Sequence, residues 1–72
     1  MPSPNETRTI HVYWDESDPA DPGWAWRLYE DELLIDSGPV AGVSAFWRRP
    51  SSAMIRQSVG SGRSKGVEIV FI

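Results

Sequence analysis

The sequence has no cysteine and a single histidine, His11. No disulfide can therefore stabilise the fold, so stability must come from the four tryptophans, from an oligomer interface, or from both. The absence of cysteine fits a reducing compartment. There is no nucleophile elbow, no H-E-x-x-H motif and no second histidine to complete a metal site. We predict that the chain is not an enzyme and needs no cofactor.

Long apolar runs are also missing, and none could span a bilayer. Residues 1–7 lack the basic and apolar segments of a secretory signal, so we expect a cytoplasmic protein with no membrane partner. Pro2 and Pro4 oppose regular pairing, which predicts a disordered tail over residues 1–7. The remainder, residues 8–72, is expected to form a single domain, with a thin core because short chains bury only about 60% of their surface.

Charge is divided unevenly along the chain. Residues 1–36 hold nine acidic and two basic side chains, a net charge of −7, whereas residues 37–72 hold five basic side chains and one acidic, a net charge of +4. Such polarity can steer a charged partner, or the two halves can neutralise each other after folding.

Residues 24–38 predict a β-hairpin around which the chain is organised. With Asp31 and Glu32 as the turn, Leu28 would face Ile35, Trp26 would face Ser37 and Arg27 would face Asp36. This register gives one core face, formed by Trp24, Trp26, Leu28, Leu33 and Ile35. The turn has neither Asn nor Gly, which tight hairpins prefer, so we expect a longer or distorted turn.

The flanking segments complete a small sheet and one helix. Residues 7–14 alternate with Ile10, Val12 and Trp14 on one face, which is typical of a half-buried strand. Residues 15–23 read as a loop, residues 40–47 fit either a strand or a short helix, and residues 60–66 read as a flexible connector.

A helix is predicted over residues 53–59, with Ser51 or Ser52 as its N-cap and Gly60 as its end. The apolar residues 67–72 predict a strand that lies inside the sheet or pairs with a second molecule. The fold class is therefore α+β: a small antiparallel sheet of three to five strands with one short helix packed on one face.

Part of this pattern resembles a known family. The run Trp24, Trp26, Arg27 and Leu28, followed by Ile35 and by Ser37 with Gly38, is similar to the small bacterial YegP-like domains. The resemblance covers about residues 10–38 and, faintly, residues 51–59. It implies three antiparallel strands with a helix across one face, and it implies no defined biochemical role. The shorter turn, an insert at residues 46–49 and a final strand depart from that family.

Three polar features each have a functional and an ordinary interpretation. Asp15, Glu16, Asp18 and Asp21 crowd one loop and could bind a hard cation, but the EF-hand spacing is absent and a solvated loop is the simpler reading. His11 could act in catalysis, yet on the polar face of a strand it is most simply a surface residue. Residues 60–66 suggest a phosphate cradle, but a strand rather than a helix follows them, which favours a linker.

The stretch from residue 46 to residue 49 is the strongest candidate for binding. Trp and Arg are enriched at binding hot spots, and four adjacent residues cannot all be buried. The alternative is that Phe46 or Trp47 fills the core while Arg48 and Arg49 pair with the acidic half.

These features favour a non-catalytic protein-interaction module. In length and in its cysteine-free composition the chain is similar to small phage anti-CRISPR proteins, which suggests a phage-type inhibitor that blocks a host nucleic-acid-processing complex. The alternative is a single-stranded nucleic-acid-binding protein in which Trp47 stacks on a base beside Arg48 and Arg49. A homodimer through the C-terminal strand is compatible with either. The predicted partner-binding residues are Phe46, Trp47, Arg48, Arg49, Asp15, Glu16, Asp18 and Asp21.

Overall fold

A computed structural model describes residues 7–41 and 49–72 of the chain. Four strands and two helices follow one another in these two ranges. They are β1 (Arg8–Asp15), β2 (Gly23–Glu30), β3 (Leu33–Pro39), α1 (Ser52–Val59), α2 (Ser61–Ser64) and β4 (Glu68–Phe71).

The strands form one mixed sheet in the order β3-β2-β1-β4. β1 pairs antiparallel with β2, and β2 pairs antiparallel with β3, whereas β4 runs parallel to β1. The return from β3 to a parallel β4 requires a crossover, which α1 and α2 provide. The predicted α+β class is confirmed, but the sheet is mixed rather than antiparallel because β4 returns through the crossover to lie parallel to β1. There are two helices rather than one, and α2 occupies the segment that we expected to be a flexible connector.

Both helices lie on the same side of the sheet as the apolar side chains. Ile10 and Val12 of β1 are fully buried, and Trp26 and Leu28 share their face because they are the register partners of these two residues. Ile55 and Val59 of α1 pack against these side chains and complete the core. We call this the helix-covered face. The alternate residues of β1 and β2 point to the other side of the sheet, which neither helix covers and which we call the open face.

The hairpin turn is tight, contrary to the expected longer one. Asp31 and Glu32 have φ angles of 49° and 72°, so both central residues are left-handed, as in a two-residue hairpin turn. Thr7 holds the turn in place, because its N–H donates to Asp31 Oδ1 at 3.1 Å and its carbonyl accepts from the Asp31 N–H at 3.0 Å. These two hydrogen bonds help to compensate for the strain of holding two residues with side chains in the left-handed region.

The predicted register of the hairpin is wrong in its second strand. Leu28 lies opposite Asp36, and the ladder shifts between Leu28 and Tyr29 as in a β-bulge. One extra residue in β3 changes which side chains face the core. Leu33 and Ile35 were expected in the core and are exposed, whereas Trp26 and Leu28 are buried as expected and Trp24 is partly buried.

Helix α1 ends at Val59 as predicted and begins at Ser52, one residue before the predicted start. Ser51 is the N-cap and its hydroxyl accepts from the Met54 N–H at 3.2 Å, while Gly60 ends the helix with a φ of 119°. Arg56 then fixes the path from α2 to β4, since its guanidinium donates to the carbonyls of Ser64 and Val67.

Strand β4 lies at the edge of the sheet rather than inside it. It pairs with β1 alone in the part of the chain that the structure describes, and Ile72 just beyond it is 77% exposed. No helix within the described residues is long and apolar enough to cross a membrane.

Candidate interaction face

The open face carries a cluster of three rings and one guanidinium on its two central strands. His11 and Tyr13 of β1 point to this face, as do Arg27 and Tyr29 of β2, because they alternate with the buried core residues. The His11 and Tyr29 rings are tilted by 43° with their centroids 4.6 Å apart. The Arg27 guanidinium lies over the Tyr13 ring, 4.7 Å from its centroid. We call these four residues the aromatic cluster.

Both tyrosines of the cluster raise the pKa of Arg27. Its charge interaction with the Tyr13 phenol makes the largest contribution to raising its pKa, and a hydrogen bond with the Tyr29 side chain adds to the effect. Arg27 is exposed, and the three rings are partly buried. The guanidinium is therefore a positive charge that solvent or a partner can reach, and it lies over the Tyr13 ring.

One end of the aromatic cluster opens into an acidic hollow. A cavity of about 420 Å³ lies there, lined by Tyr13 and Trp24 together with Asp15, Asp18 and Asp21 of the loop. Asp15 accepts from the Ser17 N–H at 2.9 Å, and this bond is the main cause that lowers the pKa of its carboxyl. Asp18 accepts from the Ala20 N–H at 3.0 Å. These local bonds shape the loop and leave its negative charge in place.

The other end of the cluster is acidic as well. A smaller cavity of about 260 Å³ is lined by His11, Tyr29 and Thr9 together with Glu32 of the hairpin turn. Glu68 of β4 lies opposite Thr9 on the same face. The rim of the open face is therefore negative at both ends, about 20 Å apart at ~3.3 Å per residue.

The structure distributes the predicted partner-binding residues in two places. Asp15, Asp18 and Asp21 line the acidic hollow, and Glu16 is exposed in the same loop. Arg49 lies elsewhere, with its guanidinium 5.0 Å from the centroid of the Phe71 ring, which packs against the core. The remaining three predicted residues, Phe46, Trp47 and Arg48, lie outside the described residues.

Arginines of the C-terminal half make contacts within the chain. Arg56 donates to two backbone carbonyls, and Arg63 donates to Val59 O and to the Asp36 carboxylate. Arg8 pairs with Glu30 at 3.0 Å. Among these described side chains the basic groups brace the fold, and the neutralisation between the two halves that the sequence allowed does occur at Arg63.

The side chains of the site supply aromatic rings, one guanidinium and several carboxylates. His11 contacts a tyrosine ring, and within residues 7–41 and 49–72 no three His, Cys, Asp or Glu side chains are placed to hold a metal ion. Trp24 also lines the acidic hollow, and its buried Nε1 has no hydrogen-bond partner among the described residues.

The sequence carries one signal for the aromatic cluster. The same alternation that placed Ile10 and Val12 inward placed His11 and Tyr13 together on the other face, and the register of β1 with β2 adds Arg27 and Tyr29.

Comparison of the chain with protein-family models, with curated proteins and with solved structures gives no match.

Proposed function

We propose that the chain is a non-catalytic interaction module that binds another protein, in the cytoplasm, through its open face. The observation that carries the proposal is the aromatic cluster on a sheet face that neither helix covers. Tyr and Arg dominate binding hot spots, since they offer large rigid surfaces and directional donors. His11, Tyr13, Arg27 and Tyr29 would form the centre of the contact.

The acidic rim favours a partner with a basic surface. Asp15, Asp18 and Asp21 stand at one end of the aromatic cluster, and Glu32 and Glu68 stand near the other. A basic protein surface would match both ends, whereas the phosphates of a nucleic acid would meet like charges there. A protein is therefore the better partner for this face.

A sharper form of the proposal is a phage-type inhibitor. A protein that processes nucleic acid presents a basic groove, and an acidic face with an aromatic centre could occupy such a groove and block it. The alternative, single-stranded nucleic-acid binding by Trp47 with Arg48 and Arg49, would use another part of the chain. The described arginines support it less, because Arg56 and Arg63 already bind groups of the fold.

Photo-crosslinking can test the open face directly. A benzophenone amino acid is placed at Ser37, which is exposed and lies opposite Arg27, or as a control at Gln57, which is exposed on α1. We expect the Ser37 probe to capture a specific protein from the native host lysate and the Gln57 probe to capture none. Equal capture from both positions, or capture of nucleic acid alone, would contradict the proposal.

The alternative has its own measurement. Tryptophan fluorescence is recorded while single-stranded DNA or RNA is added at two salt concentrations. Binding that weakens steeply with salt would favour nucleic acid as the partner. We expect no binding even at low salt.

A homodimer through β4 remains a separate proposal. Its support is the apolar edge strand β4 together with the exposed Ile72 just beyond it. Light scattering at tens of micromolar should then give twice the mass of the chain, because interfaces of ordinary size usually persist at that concentration. The variant Ile72→Lys should give the monomer mass.

A further inference from the structure

Strand β3 leaves three consecutive large apolar side chains in solvent. Leu33 is 67% exposed, Leu34 is 48% exposed and Ile35 is 43% exposed. β3 is one of the two outer strands of the sheet, so one of its two edges has no neighbouring strand in the part of the chain that the structure describes. Apolar side chains and unpaired backbone groups therefore occur together along the same few residues.

Such an edge is usually protected. Natural sheets place Pro, Lys, a bulge or a covering loop on an edge strand, because an exposed apolar edge invites pairing with another chain. In β3, Pro39 lies at the end of the strand away from the hairpin turn. The bulge turns Ile35 out of the core and does not cover the edge. We call Leu33, Leu34 and Ile35 the apolar edge.

The charges around the apolar edge distinguish between possible occupants. Asp31 and Glu32 precede it and Asp36 follows it. Two copies could pair antiparallel with their three apolar residues matched, in a register centred on Leu34. Glu32 of each copy would then lie opposite Asp36 of the other. Like charges directly opposed destabilise a strand pair, so a second copy is a poor occupant. A strand with basic ends would meet opposite charges instead.

We infer that the outer edge of β3 accepts an extended segment of a partner protein as a fifth strand, with apolar residues at its centre and Lys or Arg at its ends. Strand addition of this kind gains affinity from main-chain hydrogen bonds and specificity from alternate side chains. Asp36 already binds Arg63, so the turn end at Asp31 and Glu32 provides the stronger contact for a basic residue.

This inference rests on the proposed function, because it specifies what the protein partner contributes. Leu34 lies opposite Tyr29 in the ladder, so the two side chains share a face. The edge of β3 therefore continues the surface of the aromatic cluster. A partner seated on the open face could extend a segment along β3 without a second docking site.

Three synthetic peptides of about ten residues test the inference by NMR titration of the whole chain. The first has alternating valine and threonine at its centre and two lysines at each end. The second carries glutamates in place of the lysines. The third is the lysine peptide with N-methyl groups on alternate residues, which removes backbone donors without changing the protein.

We expect the lysine peptide to shift and protect the amides of β3. The glutamate and N-methylated peptides should bind at least about tenfold more weakly. The variant Leu33→Lys with Ile35→Lys should lose the binding, whereas Ile72→Lys, which changes an exposed apolar residue at the opposite edge of the sheet, should retain it.

Shifts confined to β4, equal binding of the N-methylated peptide, or no binding of any peptide would overturn the inference. A dimer of the free chain that Leu33→Lys with Ile35→Lys abolishes would also overturn it, since a second copy would then be the occupant. If peptide binding fails while the Ser37 probe still captures a protein, the inference alone falls. If neither surface captures anything, the proposed function falls with it.

Discussion

Arg63 donates a hydrogen bond of 2.7 Å to the Asp36 carboxylate and thereby ties helix α2 to strand β3. The same guanidinium donates to Val59 O at the end of α1 and lies 5.9 Å from the centroid of the Trp26 ring. One side chain from a glycine- and serine-rich stretch thus joins both helices to the sheet. Sequence patterns did not predict this contact, because the two residues are far apart in the chain.

Replacing Arg63 by Ala should lower the free energy of unfolding by about 1 to 2 kcal/mol, since charge-assisted hydrogen bonds are lost while the exposed ion pair itself adds little. Urea unfolding followed by tryptophan fluorescence measures this. The matched control is Lys65→Ala, a neighbouring exposed residue whose loss should change the value by no more than about 0.5 kcal/mol. Equal effects of the two substitutions would show that Arg63 does not brace the fold.

Acid should weaken the contact between Arg63 and Asp36. The hydrogen bond from Arg63, together with that from the Ser37 N–H, lowers the pKa of the Asp36 carboxyl. The unfolded chain therefore binds a proton more readily than the folded chain, so this contribution to stability is complete above the ordinary aspartate pKa of about 3.9 and is lost as pH falls through the lower folded pKa.

The variant Asp36→Asn should accordingly show a smaller loss of stability on acidification below about pH 4 than the parent chain. Arg63→Ala should reduce the same pH dependence, because it removes the main cause of the shift. Unfolding midpoints in urea across that pH range provide the measurement, and parallel curves for all three proteins would contradict the assignment.

The elements that follow from local chemistry were predictable, and those that depend on distant pairing were not. The alternation of apolar and polar residues located β1, and Ser51 with Gly60 located α1. Both signals depend only on residues that are neighbours in the sequence. Ile35 was misplaced because a β-bulge depends on the whole β2–β3 ladder. The parallel pairing of β4 with β1 could not be read either, since no local signal records a partner so remote in sequence.

Gly38 should tolerate no side chain. A Cβ there would come within 3.1 Å of Trp26 Cζ2, and the indole cannot easily move because it is buried and donates to Pro39 O at 3.0 Å. Gly38→Ala should therefore destabilise the protein by about 1 to 3 kcal/mol.

The control is Gly62→Ala in α2, where a Cβ would meet nothing within 4 Å. That change should be neutral or stabilising by up to about 1 kcal/mol, because alanine costs less entropy on folding. Thermal unfolding of both variants checks the pair, and a stable Gly38→Ala variant would contradict the close packing of β3 on Trp26.

Replacing Glu32 by glycine should stabilise the fold. Its φ of 72° suits glycine, so Glu32→Gly relieves left-handed strain that outweighs the added freedom of the unfolded chain. We expect a gain of about 0.5 to 1 kcal/mol in the free energy of unfolding. Glu16→Gly is the control at a loop residue without positive φ, and it should destabilise slightly. A loss at Glu32 would contradict the tight turn.

The candidate site combines residues that the sequence singled out with residues that it did not. Asp15, Asp18 and Asp21 border a hollow, because proline and glycine turn the chain back at the end of β1. The aromatic cluster was missed because its four residues look unremarkable within each strand. They become a surface only when β1 and β2 are paired in register and the helices cover the other face.

The affinity of the captured partner for open-face variants tests the central claim most directly. Tyr13→Ser combined with Tyr29→Ser should raise the dissociation constant at least about 30-fold, the effect of losing a hot spot, while Gln57→Ala on α1 should leave it unchanged. An unchanged constant in the double variant, or an equal loss in Gln57→Ala, would contradict binding through the open face.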